Sequence, residues 1–152
     1  MSELKSINID GSKNTPKIDF NNLTGELRLQ GRSFPENTAR VYQPLLDWIR
    51  EYIRTPCQIT NLHLKLEYFN SSTLFWILKI VKSLCEIDKE KAVLYIHIYF
   101  DNEDFDYEEA DELRDVVSSV FDKVGKTKVM IGIKIQRTGD GGRIFDDSTI
   151  VF

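Results

Sequence analysis

Leu62–Ile87, LHLKLEYFNSSTLFWILKIVKSLCEI, changes its hydrophobic period halfway along, and that change decides the fold. The first part alternates, with Leu62, Leu64 and Leu66 on one side and His63, Lys65 and Glu67 on the other. Such a two-residue repeat is that of a β-strand with one buried face. Beyond Asn70-Ser71-Ser72-Thr73 the repeat becomes helical, and Leu74, Ile77, Leu78, Val81, Leu84 and Cys85 form a stripe. A helix over Ser72–Ile87 is predicted. Phe75, Trp76 and Ile80 lie outside the stripe, so the helix is either covered on two sides or keeps an apolar strip for a partner. The hydroxyls at the junction have two readings. They can cap the helix, whose first N–H groups lack internal partners. They can also take a regulatory phosphate, which would meet those same donors and the positive end of the helix dipole.

Working outward, a short strand is expected at Ser6–Ile9 and a β-hairpin over Lys17–Gln30, joined through Asn21–Gly25. Ser33, Pro35 and Glu36 have the order of a capping box. They would open a helix from Pro35 to Arg54 whose stripe is Val41, Leu45, Trp48, Ile49 and Tyr52. Pro44 lies inside that helix and predicts a kink near Arg40–Val41. Thr55-Pro56 ends it. Further strands are expected at Ile59–Tyr68, Lys91–Phe100 and Val129–Gln136, with a short one at Ser148–Phe152 and a third helix at Tyr107–Phe121. The alternation of strand and helix after Ile59 predicts parallel pairing through right-handed crossovers. The fold expected is α/β: a single domain over residues 1–152, a mixed β-sheet with helices packed on it. Residues 1–14 and 137–152 are expected to be less ordered, and Leu66 and Leu78 to be core.

Composition narrows the function. A chain of 152 residues suits one domain. A net charge of −4 argues against a nucleic-acid partner, which needs a basic surface. The opening MSELKSINIDGSKN lacks a signal peptide's apolar core, and the longest apolar run, Leu74–Leu78, is far short of a membrane span. Cys57 and Cys85 have no CxxC or histidine partner and read as free thiols in the cytoplasm. The acidic run Asp101–Glu112 lacks the glycine and the residue order of a calcium loop, and reads as carboxylates gathered at the start of the third helix. A metal-dependent hydrolase built on it would need a nucleophile–base pair or a histidine cluster, and the sequence shows neither. His63 and His97 receive no chemical role. Gly139, Gly141 and Gly142 do not form a phosphate loop. No enzyme, metal or cofactor is implied.

Three blocks carry a family likeness: Gly25-x-Leu27-x-Leu29-x-Gly31-Arg32-Ser33-x-Pro35-Glu36-Asn37, Tyr42-x-Pro44-Leu45-Leu46-x-Trp48 and Leu66-Glu67-Tyr68-Phe69-Asn70-Ser71-Ser72. Over roughly Thr15–Gln136 the chain resembles the SiaC family of bacterial regulatory phosphoproteins. The resemblance implies a non-enzymatic switch. Ser71 would be phosphorylated by a serine/threonine kinase of the histidine-kinase-like ATPase fold and cleared by a PP2C-type phosphatase. The unphosphorylated form would bind and activate a diguanylate cyclase, raising cyclic di-GMP and favouring biofilm formation. Phe69, Asn70, Ser72, Thr73, Phe75 and Trp76 would form the surface that the partner meets. Leu74-Phe75-Trp76 departs from the small or basic residues usual at that place, which implies a different partner surface, and the glycine-rich tail has no counterpart. In arrangement alone, a strand leading to a hydroxyl at a helix start is similar to anti-sigma-factor antagonists of the STAS type. This makes such an antagonist in a partner-switching pathway the alternative function.

Overall fold

Hydrophobic alternation on both sides of Asn22–Gly25 closes the hairpin of β2 (Lys17–Asn21) and β3 (Glu26–Ser33), with β1 (Ile7–Ile9) antiparallel on its outer edge. Gly25 has a φ of 75°, and a Cβ there would run into the Ile59 carbonyl. Then follow α1 (Thr38–Tyr52), β4 (Ile59–Phe69), α2 (Ser71–Leu84), β5 (Val93–Asp101), β6 (Met130–Thr138) and β7 (Ile144–Val151). The computed structural model describes residues 4–101, Asp115, 129–138 and 144–151. Apart from Asp115, the third helix expected at Tyr107–Phe121 lies outside the described residues. So does the acidic run beyond Asp101.

The seven strands among the described residues form one sheet in sequence order. The pairs β3–β4, β4–β5 and β5–β6 are parallel, and β6–β7 returns antiparallel. Strands that advance in one direction through right-handed crossovers place successive helices on the same face. Accordingly α1 and α2 pack side by side, and both contribute to a single core. Ile18, Phe20, Leu27, Leu29, Leu62, Leu64, Leu94 and Ile96 face them from the sheet. Strand ends differ from expectation by up to four residues; β3, β4, β5 and β6 run on at their C-terminal ends, where hydrogen bonding extends pairing past the apolar alternation.

Three packing expectations are corrected. Ser33 does not open α1: it is the buried last residue of β3, and Asn37 caps the helix by accepting from Arg40 N at 3.2 Å. The helix therefore starts at Thr38, and it continues through Pro44 without a break. On α2, Leu78 is half-buried while Ile80 is fully buried, so the inward stripe is Thr73, Ile77, Ile80, Val81 and Leu84. Cover from both the sheet and α1 turns Ile80 inward and leaves Leu74 and Leu78 at the margin. Leu66 is half-buried too. Part of the lead-in is also tied down: Asn22 donates to the Leu4 carbonyl at 2.9 Å and Trp48 Nε1 to the Lys5 carbonyl at 2.7 Å.

Candidate functional site

A β-bulge sets up the junction. Gly31 pairs with Leu66 and Arg32 with Tyr68, so β4 carries one extra residue, Glu67. The extra residue reverses the alternation after Leu66. Tyr68 consequently turns to the outer face, 53% exposed, beside Phe34 at 5.4 Å between ring centroids. Phe69 turns under α2, where it lines a small apolar pocket with Leu64, Leu66, Leu74 and Ile77. The chain then enters α2.

The cap is Asn70, whose side chain accepts from Thr73 N at 2.9 Å. Its own N–H donates to the Ser33 carbonyl at 3.2 Å. Asparagine is among the strongest N-caps, so the helix needs no hydroxyl in that role. Ser71 and Ser72, in the first turn, are exposed, and neither hydroxyl bonds to another described residue. The capping reading of Ser71 is thus corrected.

Thr73 is different. It is fully buried, and its hydroxyl donates to the Ser33 carbonyl at 3.0 Å. Its place in the expected partner surface is corrected: a side chain enclosed between β3 and α2 meets no partner. Ser33 Oγ lies 2.8 Å from Thr73 Oγ1 and 2.6 Å from the Tyr42 hydroxyl. Each hydroxyl has one proton to give. Because Thr73 gives its proton to the carbonyl, Ser33 donates to Thr73, and Tyr42 donates to Ser33. Burial pushes the Tyr42 phenol up, against the pull of the neighbouring Ser33 and Thr73 hydroxyls, which keeps it a protonated donor.

Above this buried chain, the N-termini of α1 and α2 frame an open groove of about 520 Å³. Glu36, Asn37, Thr38 and Ala39 line one side, and Ser71, Ser72, Phe75 and Trp76 the other. Neither helix has an acidic residue in its first turn. Phe75 is 58% exposed, and Lys79 Nζ sits 4.6 Å from its ring centroid and 4.5 Å from that of Trp76. The ammonium pins both rings beside the serines. Of the residues expected at the site, Ser71, Ser72, Phe75 and Trp76 line this groove together. Asn70 supports them from the cap and Phe69 from beneath. Sequence reasoning missed Asn37 and Lys79, although an asparagine just before a helical stripe and a lysine four residues after Phe75 were both local signals.

The outer face of the sheet carries a second constellation. Cross-strand register aligns Arg28, His63, His97 and Lys134. The two histidine rings stack at 4.4 Å and 12°. His63 bonds Glu26 at 2.9 Å and Tyr99 at 2.8 Å, while His97 Nε2 bonds Asn61 at 2.8 Å. Burial, then the neighbouring His63, Lys134 and Arg28, push His97 down to about 4. No group of three or more potential metal ligands occurs among the described residues. No helix among them is long and apolar enough to cross a membrane.

A model of the SiaC family regulatory phosphoproteins matches residues 9–124. The chain is 26% identical over 98 residues to an uncharacterized protein of Pseudomonas aeruginosa, spanning 64% of this chain and 78% of that one. The crystal structure of apo-SiaC from P. aeruginosa superimposes with a TM-score of 0.65 at 26% identity, over 74% of this chain and 92% of that one. A chain in the crystal structure of the diguanylate cyclase SiaD in complex with its activator SiaC, from the same organism, gives a TM-score of 0.63 at 27% identity, over 72% and 90%. The matched segment contains the groove, both asparagine caps and the buried hydroxyl chain, and the protein belongs to the SiaC family of regulatory phosphoproteins.

Proposed function

We propose that the protein is a phosphorylation-controlled binding switch. Unphosphorylated, it binds and activates a diguanylate cyclase through the groove between α1 and α2; a phosphoryl group on Ser71 blocks that contact. A kinase of the histidine-kinase-like ATPase fold adds the group and a PP2C-type phosphatase removes it. The observation that carries this reading is the Ser71 hydroxyl, exposed and bonded to no other described residue because Asn70 does the capping. Its relative SiaC is the activator bound to the cyclase SiaD in a solved complex.

The energetics support a switch that leaves the fold intact. Phosphorylation adds about −1.5 to −2 charges at one spot. At the start of α2 that charge faces free N–H donors and the positive end of the dipole, so the folded chain tolerates it. A partner seated over Phe75 and Trp76 would instead have to strip water from it. Burying an uncompensated anion costs several kcal/mol.

Intact-mass measurement of the protein from its own cells should show a partial species heavier by one phosphoryl group, about 80 Da, mapping to Ser71. Ser71→Ala should bind the host's cyclase constitutively, and Ser71→Asp should fold normally but bind it poorly. Equal cyclase affinity of wild type and both variants would refute the proposal.

A further inference from the structure

Ser33 of the GRSxPEN block and Tyr42 of the YxPLLxW block face solvent nowhere, so neither can meet a partner. Both enter the hydroxyl chain that runs from Tyr42 through Ser33 and Thr73 back to the Ser33 carbonyl. The same carbonyl accepts the Asn70 N–H. Ser71 and Ser72 are therefore held between two residues anchored to one backbone oxygen. Tyr42 belongs to α1, so the chain also links the two walls of the groove.

We propose that Tyr42 is a positioning residue of the switch. Its hydroxyl, acting through Ser33 and Thr73, locks the first turn of α2 to the start of α1 and so fixes the groove in the shape the effector reads. The proposal rests on the reading of Ser71 and its groove as the effector site. Each donor along the chain has one acceptor, and removing the first leaves the remaining two hydroxyls free to reorient. A partner that needs both walls of a groove loses affinity when one wall must be ordered on binding.

The test combines amide hydrogen exchange of the unliganded chain with affinity for the host's purified diguanylate cyclase. Tyr42→Phe keeps the ring and removes only the hydroxyl. The amides of Thr73 and Leu74, both bonded to Asn70, should exchange about fivefold faster, the factor a lost buried hydrogen bond typically gives, while the sheet stays protected. Cyclase affinity should fall several-fold. Thr73→Val should act alike, Thr73→Ser should restore wild-type behaviour, and the Tyr42→Phe/Thr73→Val double variant should be no worse than Thr73→Val alone, because both break one chain.

Unchanged exchange at Thr73 and Leu74 in Tyr42→Phe would overturn the proposal. So would faster exchange with cyclase affinity unchanged, since the hydroxyl would then stabilise α2 without shaping the groove. Failure of the wild-type chain to bind the cyclase would defeat the Ser71 reading instead, with the exchange arm still deciding whether the relay holds the helix.

Discussion

Stability and signalling should separate between two adjacent residues. Asn70 holds α2 through one side-chain bond to Thr73 N at 2.9 Å, in extended backbone geometry with φ −92° and ψ 173°. Alanine there leaves the Thr73 N–H without its acceptor, at about 1 kcal/mol within a range of roughly 0.5–2. In a chain of 152 residues this lowers the melting temperature by about 2–4 °C. Ser71→Ala removes a hydroxyl with no partner among the described residues at an exposed first-turn position, where alanine is the better helix former by a few tenths of a kcal/mol. Its stability should stay within about 0.5 kcal/mol of wild type. Urea unfolding of Asn70→Ala, Asn70→Ser and Ser71→Ala measures all three; serine, itself a strong cap, should recover most of the loss. If Ser71→Ala proved the destabilising variant and Asn70→Ala were neutral, the capping assignment would be wrong, and the argument that Ser71 is free for modification would go with it.

Ile80→Ala should cost about 2–5 kcal/mol and Leu78→Ala clearly less, because only Ile80 is fully enclosed; denaturant midpoints would show the order, and equal losses would contradict it. His97 should make the fold acid-sensitive. Its native pKa of about 4 lies below the usual 6.5, so below pH 6.5 the unfolded chain takes up a proton that the native chain refuses. Stability should accordingly fall as pH drops from about 6.5 to 4, by up to about 3 kcal/mol. The same titration of His97→Phe should be flatter, and an identical slope would count against this assignment. The Cys85 thiol, buried and pushed up to about 12, should resist alkylation in the native protein and react only on unfolding; native labelling at Cys85 by mass spectrometry would show otherwise.

Local periodicity made most of the architecture legible in the sequence. The shift from Leu62-Leu64-Leu66 alternation to the Ile77-Val81-Leu84 stripe placed β4 and α2, and the strand–helix order gave the parallel pairing. The same pattern set Phe75 outside the buried stripe, but only the structure decided that it and Ser71 are exposed. Signals of this kind reside in neighbours along the chain, where side-chain direction depends only on the backbone repeat.

Tertiary structure decided the rest. Glu67 gives no sign in sequence that it is the extra residue of a bulge, because the bulge is defined only against Gly31 on another strand. The hydroxyls that read as caps are Ser33 for α1 and those of Ser71–Thr73 for α2, whereas packing leaves the capping to Asn37 and Asn70 and engages Ser33 and Thr73 elsewhere. Those two hydroxyls meet across 40 residues of chain, and the stacked histidines across 34. Ile80 displaced Leu78 from the core for the same reason, since α1 as well as the sheet covers α2. A sequence specifies which groups are able to form such bonds, but which of them meet depends on where the sheet brings distant segments together, and there the enclosed polar atom must find its partner.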